Sequence, residues 1–83
     1  MNQSARTAKQ IGAIVRRARR NAGLSQTDLA DRIGLRQATI SRLERGEDET
    51  KLSTLLDALT ALGLEITIDR RGKTKAQDLE DLF

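Results

Sequence analysis

The stretch SQTDLADRIGLRQATISRLERG, residues 25–46, decides how this chain is read. It predicts two short helices folded about one glycine. Counting from Gln26, Ala30 is the fifth residue, Gly34 the ninth, Ile40 the fifteenth and Leu43 the eighteenth. Each spacing has a steric reason. Helices that cross steeply need a small side chain where they come closest, which is Ala30. The turn needs a left-handed residue, and glycine adopts that conformation without strain. The second helix needs two apolar anchors at i and i+3, supplied by Ile40 and Leu43. Together these constraints define a helix-turn-helix, whose second helix enters the DNA major groove by its amino-terminal part.

An αα-hairpin in a small bundle explains the packing residues equally well, but it does not explain Arg36. The second helix opens on this arginine with no capping residue, in a chain that caps its other helices well. The amino end of a helix carries partial positive charge, so a cation there is unfavourable. A phosphate or a guanine at that end turns the cost into a gain. A locally unfavourable residue in an otherwise consistent sequence is where function is expected. Gln37, next in line, is able to pair in bidentate fashion with adenine; Ala38 is small enough to touch a thymine methyl. Thr39 and Ser41 are short and polar, and Arg42 lies one turn beyond Ala38. Gln26 and Thr27 open the first helix of the pair and are placed to meet the DNA backbone.

Outward from this unit the pattern stays helical. The first helix is expected over Ala8–Ala22, with Thr7 and Gln10 as a capping box. Its apolar stripe is Ile11, Ile14, Val15, Ala18 and Ala22, with Arg16, Arg17, Arg19 and Arg20 mostly off it. Ser25 and Asp28 form a second box for Gln26–Ile33, and Leu24 and Leu29 stand as a hydrophobic staple. The third helix is expected over Gln37–Arg45 and the fourth over Leu52–Leu62. Leu52, Leu55, Leu56, Leu59 and Leu62 form the strongest stripe in the chain and read as core. Gly23, Gly34, Gly46 and Gly63 supply the stops.

After Gly63 the period changes to two. In LEITID, residues 64–69, Leu64, Ile66 and Ile68 alternate with Glu65, Thr67 and Asp69, as in a half-buried strand. The chain offers no second strand, and a lone strand leaves its ladder unsatisfied. The simplest partner is the same strand of another copy, paired antiparallel in an isologous homodimer. Residues 70–83 read as a flexible acidic tail, separate from a domain spanning 1–69.

Composition narrows the chemistry. The 83 residues contain no cysteine and no histidine, which removes disulfides, thiol nucleophiles and the commonest general base and metal ligand. No cofactor, metal or enzymatic activity is expected. Asp28 and Asp31 look like a first-turn charge and a surface charge rather than a catalytic pair. No apolar run is long enough to span a membrane, so a cytoplasmic protein is the default. The net charge of +3 is unevenly spread: residues 1–46 carry ten Lys/Arg against three Asp/Glu, and residues 47–83 carry five against nine. The basic half points to nucleic acid.

LSQTDLADRIGLRQATISRLERG resembles the Xre/Cro helix-turn-helix of phage repressors. The wider run, about residues 7–69, resembles HipB-type antitoxins in its order of helices, strand after ALGLE, and short acidic tail with an aromatic end. The resemblance implies a mainly α, lambda-repressor-like bundle of four helices with one C-terminal β-strand pairing across a homodimer. It implies repression of the protein's own operon through double-stranded operator DNA with an inverted repeat. It also implies binding and restraint of a HipA-like serine/threonine kinase toxin. Base reading is carried to Arg36, Gln37, Ala38 and Ser41, and backbone contact to Gln26, Thr27, Thr39 and Arg42. The tail, with Asp78, Glu80 and Asp81 beside Leu79, Leu82 and Phe83, reads as a protein-binding element. Phe83 departs from the tryptophan typical of the family's last residue. A stand-alone phage-like repressor without a toxin is the alternative.

Overall fold

The computed structural model describes residues 3–47 and 49–71. Four helices follow in order: α1 (Ala8–Asn21), α2 (Gln26–Ile33), α3 (Gln37–Arg45) and α4 (Leu52–Ala61). They match the expected helices to within a residue at their ends. Helix α3 packs against both α1 and α2, and α2 also packs on α4. Val15, Leu29, Ala30, Ile40, Leu43, Ala58 and Leu59 form the buried centre. The anchors of residues 25–46 therefore do what their spacing requires. Gly34 takes φ +69° between α2 and α3, and the Leu35 N–H then donates to the Ala30 carbonyl at 2.9 Å, closing the turn.

The caps follow the sequence with two changes. Ser25 and Asp28 form the complete reciprocal box at α2. At α1 only half of the expected box forms: the Thr7 hydroxyl accepts from the Gln10 N–H at 3.1 Å, and the Gln10 side chain reaches back to the Arg6 N–H instead. Helix α3 opens on Arg36 with no side-chain cap, as expected. Helix α4 likewise opens uncapped on Lys51, so Arg36 is not the single cation at a helix amino end.

Two apolar stripes are rotated from their expected facing. On α1 the buried positions are Gly12, Val15 and Arg19, while Ala22 is exposed. A Cβ at Gly12 would stand 2.6 Å from the Leu43 carbonyl oxygen, so α1 crosses the end of α3 in contact with its backbone. On α4 the buried residues are Thr54, Ala58 and Leu59. Leu52 is 65% exposed and Leu56 is 44% exposed, which corrects the reading of the whole leucine stripe as the core of one chain.

Residues 64–69 form no ladder with any other described residue. Leu64 is half-buried against the core, whereas Ile66 and Ile68 are exposed. A pairing with a second copy is a property of two chains, and within one chain the edge stands open. The expected tail contacts at Leu79, Leu82 and Phe83 lie outside the described residues.

Candidate nucleic-acid interface

Helix α3 presents two unlike faces. Ile40 and Leu43 are buried, while Arg36, Gln37, Ala38 and Arg42 are exposed and Thr39 and Ser41 half-exposed. Its first turn contains no acidic residue. Its one carboxylate, Glu44, turns inward and is 9% exposed. Apart from the small Ala38, the outward surface is thus polar or cationic from one end to the other.

The buried side of Glu44 holds the pair that sequence reasoning missed. The Arg19 Nε donates to Glu44 Oε2 at 2.6 Å and its Nη2 to Oε1 at 3.0 Å. A third donor, Nη1, reaches the Leu24 carbonyl at 2.8 Å. This fork ties α1 to the last turn of α3 and to the loop before α2. Arg16, Arg17, Arg19 and Arg20 are expected mostly off the apolar stripe, and only the spacing of Arg19 from Gly12 and Val15 marks it as inward. Burial pushes the Glu44 carboxyl up. The hydrogen bonds from Arg19 and then Gln26, with the positive charge of Arg19, outweigh it and hold the group below its ordinary 4.5. The hydrogen bond with Glu44 raises the Arg19 guanidinium further.

The network continues outward to the expected site residues. Gln26 Nε2 donates to Glu44 Oε1 at 3.1 Å, and Gln37 Nε2 donates to Gln26 Oε1. Gln26 and Gln37, eleven residues apart, are brought together at the exposed end of the helix pair. Gln37 keeps its Oε1 and one N–H free of this bond, the donor and acceptor that a bidentate adenine contact uses. At the other end of α3, Arg45 Nη1 donates to the Ser41 hydroxyl, and Glu47 receives Nε and Nη2 of the same arginine at 2.9 and 2.7 Å. Thr27 and Ala38 are exposed and unengaged by the described side-chain bonds. Beside α3 runs an open cleft of about 910 Å³, where Lys9 and Lys51 join Arg42, Thr39 and Thr50 around the carboxylates of Glu47 and Glu49. Lys51 carries no motif in the sequence, and only the fold brings it to this cleft.

Among the described residues no cluster of acidic groups is suited to a metal ion, and no helix is long and apolar enough to cross a membrane. A tight turn on glycine, a buried anchor pair and an exposed polar second helix define a helix-turn-helix domain. The family profile described as helix-turn-helix matches residues 15–68. Antitoxin HipB of Escherichia coli O6:H1 is 33% identical over 75 residues, covering 88% of this chain and 80% of that protein. Antitoxin HipB of Escherichia coli K12 is 37% identical over 59 residues, covering 71% and 67%. Among solved structures, the matching chain of a HipA-HipB-O2-O3 complex has a TM-score of 0.78 at 33% identity, covering 84% of this chain and 99% of its own. A HipB-O4 20mer complex matches with the same TM-score, identity and coverage. The chain belongs to the helix-turn-helix family and, within it, to the HipB antitoxins.

Proposed function

We propose that this protein is a sequence-specific DNA-binding repressor and the antitoxin of a HipA/HipB-type module. It acts as a homodimer on an inverted-repeat operator and represses its own operon. It also binds and restrains a HipA-like serine/threonine kinase, in keeping with similar HipB chains that occur in complexes with HipA and with operator duplexes. It is not an enzyme, it needs no cofactor, and it works in the cytoplasm at its operator. The observation that carries the DNA reading is the Gln37–Gln26 pair, set on the buried Arg19–Glu44 fork at the exposed end of α3.

In this reading Arg36, Gln37, Ala38 and Ser41 face base edges. Gln26, Thr27, Thr39 and Arg42 meet the sugar-phosphate backbone, with Lys9 and Lys51 beside them on the cleft. Residues 1–69 form the DNA-binding and dimerisation unit, and residues 70–83 serve a protein partner. The exposed Leu52, Leu56, Ile66 and Ile68 support pairing through Leu64, Ile66 and Ile68, since large apolar side chains left in water by one chain are stabilised when a second copy covers them.

Two binding experiments test this. Selection of duplexes from a randomised pool, followed by titration at several salt concentrations, should return an inverted repeat bound far more tightly than scrambled duplex. Mixing with a HipA kinase should give a stable complex. A protein that selects an operator but ignores the kinase would be the stand-alone repressor instead.

A further inference from the structure

Gln37, Ser41 and Arg45 lie four residues apart and so share one line along α3. The first is held by Gln26. The second is held by the third, because the Arg45 guanidinium donates to the Ser41 hydroxyl oxygen. Arg45 is not a free-swinging cation: its Nε and Nη2 both donate to Glu47 Oε2, at 2.9 and 2.7 Å. Glu47 therefore fixes the plane of the guanidinium, and the remaining arm points at Ser41. That fixes what Ser41 is able to do. A serine in a helix commonly donates its proton back to a carbonyl one turn earlier, as Thr60 does toward Leu56 at 2.9 Å. Here the oxygen instead receives a proton from a cation. One lone pair is used, and among the described hydrogen bonds the hydroxyl proton has no acceptor within the chain, so it is left to be donated to a group outside it. A serine hydroxyl is otherwise equally ready to donate or accept, and reads little at a base edge.

We infer that Arg45, oriented by Glu47, is a positioning residue that commits Ser41 to act as a hydrogen-bond donor toward DNA. The operator position facing Ser41 then carries a major-groove acceptor: a purine N7, a guanine O6 or a thymine O4. The inference rests on the proposed reading of α3 as the base-reading helix, and adds which chemical group one position must offer.

The test uses a 20-base-pair duplex selected from a randomised pool by the full-length protein, with every position then varied to the other three bases. Ser41→Ala should flatten the preference at one position about three- to tenfold, the worth of one uncharged hydrogen bond. Arg45→Ala should flatten that same position by a similar factor, and the double variant should lose no more than either alone. Arg45→Lys keeps the charge but not the fork, so its profile should resemble that of Arg45→Ala. The Arg45 and Glu47 side chains are 59% and 48% exposed, so these variants should melt close to the wild type. Should one of them fold poorly, Glu47→Gln supplies the same readout. The inference is overturned if Ser41→Ala leaves the profile unchanged. It is also overturned if Arg45→Ala weakens all sequences alike and lowers the salt dependence by about one charge, which would make Arg45 a phosphate contact. A wild-type protein that selects no sequence at all would remove the DNA reading itself, and the inference with it.

Discussion

At the scale of single residues, Arg36 and Gly12 show two ways in which a side chain is chosen against local convenience. Arg36 sits at the amino end of α3 in extended conformation, φ −87° and ψ 149°, with no cap bond. Arg36→Ser supplies a cap worth about 1 kcal/mol. It should raise the melting temperature by a few degrees and lower operator affinity severalfold. Calorimetry and a duplex titration on the same preparation check both signs. A variant that is less stable and equally tight on DNA would contradict the account. Helix α4 also starts on an uncapped cation, Lys51, which lines the cleft beside α3, so an uncapped cation at a helix start is not peculiar to Arg36. At Gly12, alanine would press a methyl into the Leu43 and Glu44 carbonyls. Gly12→Ala should destabilise by about 1–3 kcal/mol through displacement of α1 from α3, read as a fall in denaturation midpoint. From the sequence alone, Gly12 lowers the helix propensity of its segment and either allows close packing or has no role; the crossing of α1 on α3 shows that close packing is the reason.

At the scale of elements, the Arg19–Glu44 fork decides how α1, α2 and α3 hold together. Arg19→Ala leaves a buried carboxylate unpaired and should cost about 3–5 kcal/mol. Replacing both partners with apolar residues, Arg19→Met with Glu44→Leu, should be close to neutral for stability. The double variant should still lose base preference at the position read by Gln37, because Gln26 no longer has its anchor. Loss of stability without loss of preference would reduce the fork to packing. The fork also predicts a pH dependence. Glu44 titrates below 4.5 in the fold, so its stabilisation is fully present above 4.5 and is lost as pH falls through the lowered value. Asp28, held down by its bonds with Ser25, acts in the same direction. Melting of wild type and Glu44→Gln between pH 3 and pH 7 should converge at the acid end. The turn, its anchors and the exposed face of α3 were legible in residues 25–46 because each follows from local geometry. The fork was not. It joins residues 25 apart, and a buried arginine among surface arginines leaves only its phase on the helix as a trace.

At the scale of the molecule, one chain is incomplete. Ile68 is 91% exposed and Ile66 is 46% exposed, and on α4 Leu52 and Leu56 are exposed as well. Ile66 also lines a cleft of about 410 Å³ with Ile11, Ile14, Leu55 and Leu64. The sequence read the leucine stripe as core because periodicity reports which residues avoid water, not which chain covers them. Ile66→Asp should shift the molecule toward monomer in sedimentation and abolish cooperative operator binding, whereas a wild type monomeric at micromolar concentration would contradict the strand pairing. Deleting residues 76–83 should leave dimerisation and operator affinity unchanged and weaken kinase binding; a fall of several degrees in melting temperature would place the tail in the fold of the dimer instead. The central claim is that Gln37 on α3, held by Gln26 of α2, reads a base. The measurement that tests it most directly is the affinity of Gln37→Ala, relative to wild type, for the selected duplex and for a scrambled one in the same buffer. The account predicts a loss of about 1–3 kcal/mol on the selected duplex, relaxed preference at one base pair, and little change on the scrambled duplex. An equal loss on both would contradict it.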